Sequence, residues 1–229
     1  MPSRSPYPAL LAASALACAL LATRVQRTGS LAFCFLAYNL ALAWIPLGLS
    51  ALTRRLWRAR SRLAVPTGIA WWLFFPNAFY LVTDLVHFHA RPKVPFWYDI
   101  ALLVAFAWCG TLLALVSLAS LHALVRARCG ALAGWAFASF TCLSAGFGIW
   151  LGRVQRWNSW DAALHPRAVA EDALSALAHP LQSAHAWGVT LAFGGLLGVV
   201  YVTVTSLQLE RSWSAGVLAG GPPASGRLP

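Results

Sequence analysis

The sequence predicts an all-α, polytopic membrane helix bundle of about six transmembrane helices plus a short outer amphipathic helix, and three observations predict it. Of 229 residues, 59% are hydrophobic and 10% charged, against about 45–50% and about 25% in an average soluble domain. Mean hydropathy is +0.66. The apolar residues also gather into runs near the ~20 residues that cross a hydrocarbon core. An ordinary soluble globule and a largely disordered chain are both excluded.

Six runs follow in order: 8–21, 31–52, 63–85, 100–125, 131–151 and 185–207. The first is short and Ala-rich, so two readings stay open for it. It is a spanning helix, or a signal peptide with Arg4 as its charge and Ala15-Leu16-Ala17 as a cleavage-site pattern. We take it as a span. The bundle forms one domain over residues 1–210, and the Gly- and Pro-rich stretch 211–229 reads as a disordered tail.

Loop charges give the orientation, because cytoplasmic loops of inner-membrane proteins carry the excess of Lys and Arg. Arg54, Arg55, Arg58, Arg60 and Arg62 lie between the second and third runs, and Arg126 with Arg128 follows the fourth. Both groups, and both termini, are therefore expected in the cytoplasm. Five of the six acidic residues (Asp84, Asp99, Asp161, Glu171 and Asp172) then lie outside. The net charge of +11 is a topology signal facing anionic lipid; no nucleic-acid motif accompanies it. Membrane lipids are the expected partners, and nucleic acid is not one.

The five cysteines form no CxxC and no paired framework, so neither disulfides nor a thiolate metal site is indicated. No cofactor fingerprint, P-loop or nucleophile motif appears.

Polar residues single out two segments. In the third run, Asn77, Tyr80, Asp84 and His87 are spaced by three, four and three residues, which places them along one helical stripe. Pro76 predicts a kink just before it. Such a stripe faces protein or a wet cavity, either as a hydrogen-bond seam or as a functional site. Asp84, His87 and His89 also raise a metal, but the DxxHxH spacing matches no specific signature and no metal is assigned.

The fifth run ends in GFGIWLGRVQRWNSWD (146–161). If the helix continues past Gly152, then Arg153, Arg156, Trp157, Trp160 and Asp161 share a face, with Asn158 between them. Arg suits phosphate or carboxylate; the plain alternative is interfacial anchoring. Beyond it, Ala170, Ala173, Leu174, Leu177 and Leu181 recur at helical spacing opposite Arg167, Glu171, Asp172 and Ser175, a pattern for an amphipathic helix on the outer interface. His122 reads as an ordinary helix-end residue.

The fragments YNLALAWIPLGL (38–49), WLFFPNAFYLVTDLVHF (72–88), PFWYDIALLVAFAWCG (95–110) and GFGIWLGRVQRWNSWD (146–161) resemble a bacterial membrane family catalogued as domain of unknown function 1361. The resemblance covers about residues 31–201 in matching order; one departure is Phe79, where the family motif carries proline. It implies a multi-span bundle and no known activity, substrate or cofactor.

Three functions therefore compete. A membrane enzyme at the outer leaflet would act on a lipid-linked or phosphate-bearing substrate, with Asp84 or His87 as acid or base. Arg153 and Arg156 would hold the anionic group, beside Asn77, Tyr80, Asp99, Trp157, Asn158, Trp160 and Asp161. A scaffold would use the polar seam only to lock helices. A transporter would run a path through Asn39, Asn77 and Asp84. Whichever holds, Asp84 is expected to meet Arg153 or Arg156 at the outer mouth of one cavity.

Overall fold

A computed structural model describes residues 5–88 and 93–218, with side chains to residue 207. The described residues are mostly helical, and five helices are long and apolar enough to cross a membrane. The first, α1, runs Tyr7–Thr28 and stops where Gly29 turns left-handed (φ 66°) and donates its N–H back to Val25. At 22 residues it is about 33 Å long, so the short apolar run understated it: the helix carries on through Arg24.

Helix α2 spans Phe35–Arg58 with Pro46 buried inside it, and α3 spans Ala64–Thr83 with Pro76 inside. The chain then tightens into a 3-10 turn, Asp84–His87, and becomes extended at Phe88. Helix α4 covers Phe96–Arg153 but is broken at Gly130, whose φ of 90° and ψ of 172° are not helical. His122 packs its ring 4.9 Å from that of Trp135; on a straight helix thirteen residues would separate them by about 20 Å. The two arms therefore fold back on each other and supply the fourth and fifth runs. Two short helices follow, α5 (Asp161–Leu164) and α6 (Pro166–Ala178), and then α7 (Ala184–Leu218).

Helix α3 packs against α2 and α4, while α7 packs on α4 and α1 joins α4. Glycines let these backbones approach as small residues do in membrane bundles. A Cβ on Gly194 of α7 would lie 2.8 Å from the Cys142 carbonyl oxygen, and one on Gly148 would lie 2.5 Å from Pro76. Phe79, where the family motif has proline, is buried in an unbroken part of α3.

The two ends of the bundle differ in charge. At one end Arg54 donates to Ser120 at 3.2 Å, and Arg128 lies 5.8 Å over the Trp57 ring, so the Arg-rich loop and the Gly130 turn come together. His122 belongs to this end but is no plain helix-end residue: it is buried and hydrogen-bonded at 2.6 Å to the Tyr201 hydroxyl. The other end carries Asp84, Asp99 and Arg153.

Candidate functional site

Asp84 begins the 3-10 turn that closes α3, and its side chain is 0% exposed. A buried carboxylate needs partners. One oxygen takes the Arg153 guanidinium through Nη2, and the other accepts from Asn39 Nδ2 at 2.9 Å. Arg153, 24% exposed, is held on four sides. Its Nε donates to Thr83 Oγ1 at 2.7 Å, Nη1 lies 3.4 Å from His87 Nε2, and its carbon lies 4.1 Å over the Tyr80 ring. The stripe of Tyr80, Asp84 and His87 thus converges on one arginine. Asn39 and Thr83 complete the group; Asn39 had been placed only on a transport path, and Thr83 gave no signal of its own.

Helix α4 ends at Arg153, so the residues after it do not share a helical face. Arg156 takes a left-handed φ of 64° in the loop and is exposed, apart from the Asp84 pair. Trp157 donates its indole N–H to Asp172 at 2.7 Å, which turns Asp172 toward the loop rather than the water side of α6. Asp161 accepts from the Asn158 backbone N–H at 2.7 Å and from its side-chain amide at 3.2 Å, so it shapes the turn before α5. Trp160 precedes α5 directly and is half-buried.

Asp99 lies elsewhere. It is bound by Arg24 of α1, Nε to Oδ1 at 2.7 Å, with both side chains at most 3% exposed. Arg24 also sits 4.4 Å over the Phe33 ring. This pair joins α1 to the start of α4 and stands apart from Arg153. Sequence reasoning missed Arg24 because its partner is 75 residues away. The available signal was a basic residue next to an apolar run at the acid-rich end.

Beside the Asp84 group lies a cavity of about 490 Å³ between α2, α3, the second arm of α4 and α6. One wall is apolar or aromatic, with Leu42, Trp72, Leu73 and Phe147. Its polar wall is formed by Asn39, Asn77, Tyr80, Asn158 and Ser159, and Val169, Ala170 and Ala173 of α6 close it on another side. Asn77 donates to Ser159 at 2.9 Å, tying α3 to the loop. Asn39 and Tyr80 belong both to the cavity wall and to the Arg153 group, so the two are continuous.

No set of three potential metal ligands occurs among the described residues. His89, the third member of the DxxHxH pattern, lies outside them.

A family model described as "Protein of unknown function (DUF1361)" matches residues 38–200. No curated protein and no solved structure matches the chain. The matched region holds every residue of the cavity and of the Arg153 group, and leaves out α1 with Arg24. With well over half of its length in that match, the chain belongs to the DUF1361 family.

Proposed function

We propose that this protein sits in the inner membrane, termini in the cytoplasm, and binds a lipid-linked ligand at its extracytoplasmic face. The observation that carries the reading is the two-sided cavity. Apolar and aromatic walls suit an acyl or prenyl chain, and the amide-lined wall suits a polar head. Helix α6 supports it. Leu174 and Leu177 are exposed while Ala170 and Ala173 line the cavity, so the helix meets lipid on one face and the ligand space on another.

Asp84 is assigned a holding role in this reading. Fully buried and bonded on both oxygens, it fixes Arg153 and Asn39 rather than reaching a substrate as acid or base. A scaffold without a ligand would explain that pair but gives no reason for the adjoining cavity. Transport is less well supported, because Asn39 and Asp84 bond each other and Asn77 bonds Ser159 instead of spacing out along a path.

The test is native mass spectrometry of the full chain released from native-membrane polymer discs. Wild type should retain one amphiphile, and Ala173→Trp, which fills the cavity from α6, should lose it with an unchanged melting temperature. Equal lipid profiles for the two proteins would defeat the proposal.

A further inference from the structure

We propose a second ligand site at the opposite, Arg-rich end of the bundle: a groove on the last turns of α2 that takes the phosphate ester of an anionic lipid headgroup. The site is separate from the cavity and does not depend on what fills it.

The groove is lined by Ala51, Arg54, Arg55, Arg58 and Ala59. Arg54 and Arg58 are four residues apart, and Arg55 and Arg58 three. Side chains at those steps rise from neighbouring points on a helix, about 5–6 Å apart at Cβ. Ala51 and Ala59 bound the set with short side chains, which leaves the space beside the arginines open. Like charges at this spacing repel. The negative end of the helix dipole, equivalent to about half a charge, does not offset three cations.

The protein supplies no anion here. Among the described residues, Asp84 pairs with Arg153, Asp99 with Arg24 and Glu171 with Arg167. Asp161 accepts from Asn158, and Asp172 from Trp157. Arg54 spends one N–H on Ser120 of α4 at 3.2 Å, which fixes its guanidinium. Arg55 and Arg58 are exposed and have no partner among those residues. Arg128, 5.8 Å over the Trp57 ring, brings another cation to the same helix end.

A cluster of unspent N–H donors with full positive charge calls for an anion carrying several oxygens in a small volume. Guanidinium forks bond phosphate oxygens in pairs, and neighbouring forks can share one phosphate. The membrane is its source. Toward the middle of α2 the groove runs onto exposed Gly48, Ala51 and Leu52, at helical spacing beneath Arg55. A Cβ on Gly48 would meet nothing within 4 Å. A glycerol and acyl chain can lie along that strip while the phosphate stays at the arginines. A zwitterionic headgroup brings a cation of its own to the same cluster, so an anionic lipid is favoured.

The experiment offers the full-length protein in detergent dioleoyl phosphatidylglycerol or dioleoyl phosphatidylcholine, with retention read by native mass spectrometry at equal lipid concentration. The groove is open, so its lipid exchanges with the lipid added. Phosphatidylglycerol should be retained preferentially, and Ala173→Trp, which fills the cavity at the other end, should not change that preference. Arg55→Gln/Arg58→Gln should weaken retention about thirty-fold, about five-fold for each arginine. Arg60→Gln/Arg62→Gln removes the same charge outside the groove and should leave retention nearly unchanged. Equal retention of the two lipids by the wild type would overturn the inference, whatever the variants do. Equal losses in the two double variants would overturn it as well, since diffuse charge alone predicts them. Displacement of phosphatidylglycerol by equimolar inorganic phosphate would overturn the lipid assignment in favour of a soluble phosphate ester.

Discussion

Asn39 donates its side-chain amide to Asp84 at 2.9 Å, across 45 residues of sequence. That bond makes the ion pair at the end of α3 and the cavity beside α2 parts of one structure. Asp84 orients the amide, and the amide oxygen becomes part of the cavity wall.

Asp84→Asn should therefore destabilise the protein as well as impair its function. Removing one member of a buried ion pair costs about 3–5 kcal/mol, and the partial exposure of Arg153 brings that toward the low end. Thermal unfolding in detergent should show a lower melting temperature and a lower yield. A variant of wild-type stability would mean that Arg153 finds a replacement partner.

The Arg24 and Asp99 pair gives a cleaner cycle, because both side chains are almost wholly buried. Arg24→Leu and Asp99→Leu should each cost about 3–5 kcal/mol, whereas the double variant should recover much of that loss. Additive losses in the double variant would show that the two residues act independently.

Glycine substitutions should sort by packing rather than by helix position. Gly194→Ala places a Cβ against the Cys142 backbone and should cost about 1–3 kcal/mol. Gly188→Ala and Gly195→Ala meet nothing within 4 Å and should be neutral or stabilising by up to about 1 kcal/mol. Chemical denaturation of the three variants decides it.

Orientation is checked with single cysteines in a Cys-free background. Lys93→Cys should react with an impermeant maleimide in intact spheroplasts, and Ser61→Cys should react only after lysis. The reverse pattern would place the Arg-rich loop outside.

How far the sequence anticipated the structure depended on the range of each signal. The third run displayed its own polar stripe, because Tyr80, Asp84 and His87 lie within two turns of one another and helical spacing alone puts them together. Arg153 could be matched to Asp84 because both end helices that run toward the same end of the bundle, and a buried carboxylate requires a cation. The shared face of Arg153, Arg156, Trp157, Trp160 and Asp161 was conditional on a helix continuing past Gly152, and the helix ends at Arg153. The Trp and Arg spacing is helical, but the chain leaves the helix there and takes up a turn that Asp161 holds through Asn158. Arg24 and the cavity were not legible. The first depends on a partner 75 residues away, and the second on α6 facing α2 and α3 across the cavity, which no local pattern encodes.

The most direct measurement of the central claim is a structure determined from native-membrane polymer discs, with a bound antibody fragment to aid alignment. The account predicts one elongated density in the cavity. Its tail would run along Leu42, Trp72 and Phe147, and its head would lie within hydrogen-bonding distance of Asn39, Asn77 and Asn158. A cavity that is empty, or filled by a side chain or by α6 moved inward, would contradict it.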